Sequence, residues 1–503
     1  MAKFRWTRHR KILLYGQLGL WLSLGFSPII RANEPLEHQS VLQPERPAAD
    51  ADLQRLKIGD RLLEAGDIMG AKDYYQQAKP PFTEAIAQEL LAPITDPAEL
   101  SPAGAVYWRN AQSGLEQDLA AKSLISLNLL TAEAPNFIPG RIAQLEQLQA
   151  TEEIESATES LAIALANYGQ SAELMTYAIE FYTETEQWLE ASLAARQFAL
   201  LNPDHPQQAE FVTVADETWE QYQSKLRARL RGNTIANLLT GTLGFVLTGS
   251  LIGPITALES TALLLQGEEA VGDRISRNIQ DVAPMVEDEA VLDYIQTIGD
   301  RLTEFVGQDR FNYEYYVILD EDLNAFALPG GKIFINSGAI LESRSESELA
   351  GLLGHEIAHA ALSHGFQLVT QGNLTANIAS NVPLGRIAGS LVVSKHSRNM
   401  ERQADALGTR ILAASPYAAD GLYNLTVTLK ENNPGNPPVW FSSHPGLDER
   451  IENIETQIVQ RNYNRYTFEG VSRHQEIQAI VRELMAAEKR KEKEKEEAAE
   501  SDD

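Results

Sequence analysis

Residues 351–364 read GLLGHEIAHAALSH, and most of the recognisable chemistry of the chain lies in or near this stretch. It contains the pattern H-E-x-x-H at His355, Glu356 and His359. Side chains four residues apart lie on one face of a helix, so both imidazoles can bind one metal ion. Glu356 lies beside them and can take a proton from a metal-bound water. The alternative is a pair of ordinary histidines on a structural helix. A capping box formed by Ser345 and Glu348 is predicted to begin the helix.

A second acidic motif follows in the run RNMERQADALG, at Glu401 and Asp405. A metal ion held by two histidines needs a third protein ligand and one open position for water. Glu401 and Asp405 are one helical turn apart and point the same way. Glu401 can bind the metal, and Asp405 can accept a hydrogen bond from the free N–H of a ligating imidazole. Two like charges on an exposed helix face would instead be mildly unfavourable.

Four motifs in this order resemble the M48 family of zinc metallopeptidases, including its periplasmic quality-control members. They are NAFALPGGKIFINSGAI at residues 324–340, HEIAH, ERQAD, and SHPGLDERI at residues 443–451. The resemblance covers about residues 270–460. It implies one zinc ion per chain, held by His355, His359 and Glu401, with Glu356 as general base. It also implies that Asp405 supports a ligating imidazole.

His444, in the His-Pro motif, has three open interpretations. By resemblance it is a removable fourth ligand that holds the enzyme latent. It can also be a donor to the oxyanion of the transition state, or a structural residue. Arg398 and Arg450 match family positions and either anchor loops or face the substrate. His364 is nine residues from His355 on a helical count, so we expect it, like His396, on the surface.

A short strand is predicted just before the metal-binding helix. Residues 311–319 are aromatic and β-branched and predict another strand, whereas residues 324–329 predict a turn. By resemblance the strand before the helix is an edge strand, to which an extended substrate adds by backbone hydrogen bonds. Its residues are Lys332, Ile333, Phe334, Ile335 and Asn336.

The N-terminal half, residues 51–231, shows a helical pattern with a period of 34 residues. That period is the length of a tetratricopeptide repeat, a helix–turn–helix unit that stacks into a solenoid. Small and large apolar residues recur at this step in three series: Ser123, Ala157 and Ala191; Leu127, Leu161 and Ala195; Leu130, Ala164 and Phe198. The concave face of such a stack binds peptides or partner proteins, although a purely structural helical domain is the alternative.

Four further segments lie outside these two domains, and two of them indicate where the protein is located. Residues 1–32 combine a basic start with an apolar run, which indicates a signal peptide cleaved after Ala32 or an uncleaved N-terminal anchor. Residues 33–50 predict a linker. Residues 232–258 contain no charged residue, but five glycines and Pro254 make them a poor membrane helix, so folding back or packing against the protease competes with a true span. Residues 471–503 predict a final helix followed by a charged tail that is either disordered or a solvated helix.

Composition excludes some partners. The net charge of −28 repels nucleic acid phosphates, and no basic patch occurs. Cysteine is absent, so neither disulfides nor thiol catalysis are available.

The sequence therefore predicts a mainly α protein with a helical-repeat domain and, at residues 259–470, a zincin-type protease domain with a small antiparallel sheet. The expected function is a zinc-dependent endopeptidase for unfolded or membrane-associated polypeptides, exported to the periplasm or the non-cytoplasmic side of a membrane. The alternative is a chaperone or assembly factor with a normally latched protease centre.

Overall fold

The computed structural model describes residues 49–79, 81–82, 92–231, 263, 266–306, 311–370, 397–432, 440 and 443–501. The predictions for residues 1–32 and 232–258, for His396, and for nearly all of the linker concern residues outside these ranges. In the part of the chain that is described, no helix combines the length and apolar character needed to cross a membrane.

Nine α-helices and one short 3₁₀ helix, Pro97–Glu99, make up the described part of the N-terminal half. The α-helices are α1 (Ala49–Glu64), α2 (Ile68–Ala78), α3 (Pro102–Glu116), α4 (Ala120–Glu133), α5 (Ile138–Ala150), α6 (Ile154–Tyr168), α7 (Ala172–Glu184), α8 (Trp188–Leu201) and α9 (Gln208–Arg231). From α3 onward, each helix packs against the next in the chain. Helices α4, α6 and α8 begin 34 residues apart. All nine residues of the three repeating series are buried. The assignment to tetratricopeptide repeats stays a prediction.

Buried charges anchor the helical pair α1–α2 to the protease half, at Asp420 and near Glu469. The Lys79 ammonium lies 2.9 Å from Asp420 and 2.5 Å from Glu469. The Asp60 carboxylate accepts hydrogen bonds from the backbone N–H groups of Glu469 and Val471 at 2.9 and 3.1 Å. Buried ion pairs are costly unless their geometry is good. The position of this pair against the protease half is therefore closely specified.

The second half adds nine helices and three strands among the described residues. They are α10 (Glu268–Val282), α11 (Glu289–Thr303), β1 (Glu314–Ile318), β2 (Ala325–Leu328), β3 (Lys332–Asn336), α12 (Ser337–Glu342), α13 (Glu346–Ala361), α14 (His364–Thr370), α15 (Arg398–Ala414), α16 (Gly421–Asn432), α17 (Leu447–Gln460) and α18 (Val471–Ser501). The mainly α fold with a small sheet is confirmed.

The sheet differs from the prediction in three ways. It is mixed, because β3 pairs parallel with β1 and antiparallel with β2. The strand order is β1-β3-β2, so the strand predicted at the edge is central and its residues Lys332, Ile333, Phe334, Ile335 and Asn336 are all buried. The turn predicted at residues 324–329 contains β2. The physical reason is the tight reversal at Gly330 and Gly331, with φ of 76° and 82°, which folds β2 back on β3.

Helix α13 lies at the centre of the protease half, and every one of its residues is buried. It packs against α11, α15, α16 and β2. Two glycines allow the close approach of neighbouring backbones. A Cβ on Gly351 would lie 2.2 Å from the backbone N of Leu422, and a Cβ on Gly408 of α15 would lie 3.0 Å from the backbone N of His355. Helix α15 also packs on its other side against α6 and α8 of the N-terminal half.

Gly351 and Gly354 provide a matched pair for testing this packing. Gly351→Ala forces α13 and α16 apart, so we expect a loss of about 1–3 kcal/mol of unfolding free energy, as for overpacked cores. A Cβ on Gly354 meets its nearest atom, the Gly408 carbonyl oxygen, at 3.4 Å, which is ordinary contact. Gly354→Ala should therefore be neutral or slightly stabilising. Chemical denaturation followed by circular dichroism measures both. Equal effects of the two substitutions would contradict the packing described.

Candidate metal centre

Helix α13 presents His355, Glu356 and His359 on adjacent turns. The helix begins at Ser345, whose hydroxyl accepts a hydrogen bond from the Glu348 backbone N–H at 3.1 Å. The Glu348 carboxylate accepts from the backbone N–H of Arg344 at 2.8 Å, one residue before the donor of a standard capping box. Both imidazoles point to the same side, with their Nε2 atoms 3.1 Å apart.

Three further elements bring polar groups to these imidazoles. Helix α15 supplies Glu401 and Asp405, both buried. The close contact at Gly408 lets α15 approach α13 without a side chain between them. His444 reaches the same point from the segment before α17 and is also buried. The structure therefore places together His355, His359, Glu401 and His444, which offer one ligand atom each within 4.8 Å of one another.

The distances among these atoms fit a tetrahedral metal site. His355 Nε2 lies 3.3 Å from His444 Nδ1 and 3.5 Å from Glu401 Oε2. Glu401 Oε1 lies 3.0 Å from His444 Nδ1 and 3.5 Å from His359 Nε2. Four ligands at bonds of about 2.0–2.1 Å stand about 3.3–3.4 Å apart. Three nitrogens and one carboxylate at this spacing therefore suit a metal ion. Without a metal ion between them, the three imidazoles would crowd one another with no favourable interaction.

Asp405 lies where it can orient a ligating imidazole. Its Oδ1 is 2.9 Å from His355 Nδ1, so that nitrogen can donate and leave Nε2 free for a metal. Arg450 donates to Asp405 through Nε and Nη2 at 2.8 and 2.7 Å and lies 3.2 Å from Glu401. Burial alone would raise the pKa of Asp405, but the Arg450 charge and His355 outweigh it and lower that pKa. Burial would likewise raise the pKa of Glu401, but the charges of His444 and Arg450 hold it well below its usual range.

Glu356 is buried with only one of its oxygens engaged. Its Oε1 accepts a hydrogen bond from Trp440 Nε1 at 3.0 Å. Its Oε2 has no hydrogen-bond partner among the described residues. A buried, unpartnered carboxylate oxygen is costly, so it points to a water or substrate group in the working site.

Trp440 was missed from the sequence. Its ring is fully buried and stacks on His444 at 4.8 Å between centroids, while the Arg450 guanidinium lies 4.7 Å from its centroid. The signal in the sequence was an aromatic pair at residues 440–441, close before His444. Trp440 closes the site over Glu356 and His355.

The surface location predicted for His364 is wrong. His364 is buried, with Nδ1 2.9 Å from His359 Nδ1 and Nε2 3.1 Å from Gln403 Oε1. The count along one continuous helix fails because α13 ends at Ala361 and Ser363 has a φ of 53°. The turn points the first residue of α14 back toward the site. Burial lowers the pKa of His364 to about 4.

Arg450 and Arg398 differ in burial and in their contacts with the site. Arg450 is buried against Asp405 and Glu401, so it anchors the site. Arg398 has a side chain 74% exposed and lies 3.9 Å from Glu449.

The Asp405 contact predicts a metal-affinity effect. Asp405→Ala removes the acceptor that orients His355 and should weaken metal binding about 10–100-fold, whereas Asp405→Asn keeps an acceptor and should lose less. Asp448→Ala on α17, with an exposed carboxylate, is the control. Competition with a chromophoric chelator measures the affinities. Binding by Asp405→Ala within about twofold of wild type would show that this contact does not support a ligand.

Comparison with known proteins agrees with this geometry. Residues 290–458 match the family described as Peptidase family M48. The beta-barrel assembly-enhancing protease of Yersinia pestis is 25% identical over 251 residues, or 44% of this chain and 52% of that protein. The mitochondrial metalloendopeptidase OMA1 of Schizosaccharomyces pombe is 28% identical over 186 residues, which is 35% of this chain and 55% of that protein. The metalloprotease LoiP of Escherichia coli is 25% identical over 250 residues, which is 46% of this chain and 97% of that protein.

The chain spans about half the length of the first two of these relatives. The matched region contains all four converging side chains and Glu356. Residues 290–458, about a third of the chain, are similar to peptidase family M48.

Proposed function

We propose that the protein is a zinc-dependent metalloendopeptidase. The observation that carries the proposal is the convergence of His355, His359 and Glu401 beside the unpartnered oxygen of Glu356. Two imidazoles and one carboxylate suit zinc better than the oxygen-seeking ions magnesium and calcium. The similarity to proteins named as metalloproteases supports the same activity.

The residues around the metal then have defined catalytic roles. When bound, zinc supplies a Lewis acid that activates water and polarises the scissile carbonyl. Glu356 takes the proton of the attacking water and delivers it to the leaving amine. The Trp440 N–H holds Oε1 of this carboxyl, which leaves Oε2 as the atom that moves the proton. No covalent intermediate with the enzyme is required.

His444 acts in this proposal as a removable latch. Its Nδ1 lies at the fourth corner of the ligand set, the position that catalysis needs for water. His444, Trp440 and Glu356 are all buried, so a polypeptide reaches the site only after the side chains of Trp440 and His444 move. The geometry supports the latch over the oxyanion donor and the structural residue.

The strand available to an extended substrate is β2, not β3. Among the described strands, β2 lies at one edge of the sheet and packs against α13. Trp440 also contacts the chain just before β2, where its backbone N–H donates to the Leu323 carbonyl oxygen at 3.4 Å. Movement of Trp440 away from Leu323 would open the approach to this edge. Backbone pairing reads an extended conformation more than a sequence, which suits unfolded substrates.

The wider setting is protein quality control on the non-cytoplasmic side of a membrane. It rests on the sequence of residues 1–32 and on relatives whose printed names refer to β-barrel assembly or to mitochondria. The helical repeats would bind substrates or partner proteins. The enclosed catalytic group also favours one alternative, a chaperone or assembly factor whose protease centre is normally latched.

Glu356→Gln separates protease from chaperone. We expect it to keep one zinc per chain, because all ligands remain, and to lose cleavage of unfolded casein by at least about 100-fold, as for a lost general base. Proteolysis and suppression of client aggregation are measured together. Full cleavage by Glu356→Gln would refute the proposed base. Client protection with no cleavage in wild type, even after His444 is replaced, would favour the chaperone.

His444→Ala tests the latch. Three protein ligands remain, so zinc should stay bound, and casein cleavage should rise about tenfold or more if the open state is below about a tenth of molecules. The double variant with Glu356→Gln is the control and should be inactive. A fall in activity of His444→Ala with zinc retained would favour the oxyanion donor instead.

A further inference from the structure

A chain of hydrogen bonds runs from His359 to the N-terminal half of the molecule. Beyond the contacts of His364 with His359 and Gln403, the Gln403 Nε2 donates to Gln197 Oε1 at 2.9 Å. Gln197 lies on α8, and its Nε2 donates to the Leu165 carbonyl oxygen of α6 at 3.5 Å. We call these contacts, from His359 through His364, Gln403 and Gln197 to Leu165, the His359–Gln197 relay.

The direction of every bond in the relay follows from metal binding at one end. A metal on His359 Nε2 places the ring proton on Nδ1, so His364 Nδ1 must accept. The proton of His364 is then on Nε2 and requires an oxygen, which is Gln403 Oε1. The amide nitrogen of Gln403 consequently faces Gln197 Oε1. Each donor points away from the metal, and no two donors oppose one another.

The far end of the relay is held by close packing. Gln197 is 2% exposed, and a Cβ on Gly169 would lie 2.7 Å from Gln197 Nε2. The Leu165 carbonyl belongs to the last turn of α6, where carbonyls lack an intrahelical partner. The Gln197 amide supplies a donor to it. The rotamer of Gln197 is therefore fixed by α6, although this residue is remote from the metal ligands in sequence.

We propose that the His359–Gln197 relay makes His364, Gln403 and Gln197 positioning residues, through which the N-terminal helices set the orientation of His359 and the affinity for the metal. This inference rests on the proposed metal centre. Partners that accept the free N–H of a ligating histidine fix its ring and raise its basicity. The relay places such a partner under the control of α8, outside the region matched by the family.

Linkage makes the effect reciprocal. If α8 strengthens metal binding through the relay, the bound metal stabilises the contact of α8 with α15 by the same free energy. Removal of metal should therefore raise backbone amide exchange in α8. A substitution that breaks the relay should abolish this response.

The test is the zinc dissociation constant of the purified full chain, measured by chelator competition. We expect about 10–100-fold weaker binding in His364→Leu and about tenfold weaker binding in Gln403→Leu and Gln197→Leu, within the range for lost partners of ligating histidines. Two conservative variants should rescue. His364→Asn keeps an acceptor near His359 Nδ1, and Gln403→Glu keeps one for His364.

Gln457→Leu is the matched control, because Gln457 donates to the Ala406 carbonyl oxygen at 2.8 Å beside the same helices but outside the relay. It should bind zinc as wild type does. Circular dichroism of the metal-free variants identifies any that misfold. For a position whose leucine variant misfolds, the zinc affinity of the conservative variant tests the inference instead. Wild-type affinity in Gln403→Leu and Gln197→Leu would overturn the inference. Failure of the wild type to bind zinc would instead refute the metal centre.

Discussion

The close crossing of α13 and α15 is the constraint on which the rest of the structure depends. Gly354 and Gly408 lie in backbone contact there, with no side chain between the helices. One helix supplies two imidazoles and the other a carboxylate, so the separation of the helices sets whether three ligand atoms can meet. The other face of α15 rests on α6 and α8. The N-terminal half thereby takes part in fixing the position of the site.

Burial makes the charges of the site strongly interdependent. Glu401 and Asp405 share one guanidinium, that of Arg450, in a site with almost no exposure to solvent. Two carboxylates exceed that single positive charge, which favours a cation at the ligand end. The same enclosure means that Trp440 and His444 cover the groups that would act on a peptide bond. Affinity for metal and access for substrate are therefore opposed in the described conformation, which is why the proposed function requires His444 to be removable.

Much of the site could be predicted because it depends on local spacing. The spacing of His355 and His359 fixes their common face whatever surrounds them, and Glu401 and Asp405 follow the same rule on a second helix. The 34-residue series could be recognised from the sequence because small and apolar residues recur wherever helices pack. These patterns need only the periodicity of a helix.

The missed features depend on tertiary structure. The central position of β3 requires β1 to pair in parallel with it, which no local pattern of residues 332–336 reveals. His364 returns to the site because of one residue with positive φ at Ser363. Trp440 and Gln197 acquire their contacts only when distant segments pack together. The assignment of ligand roles to His355, His359, Glu401 and His444 stays a prediction that the geometry supports.

X-ray absorption at the zinc edge of the purified protein tests the central claim most directly. The account predicts a four-coordinate shell of light atoms at about 2.0–2.1 Å, with imidazole scattering from three rings in the latched state. A six-coordinate shell of oxygens alone, or zinc with no imidazole scattering, would contradict it.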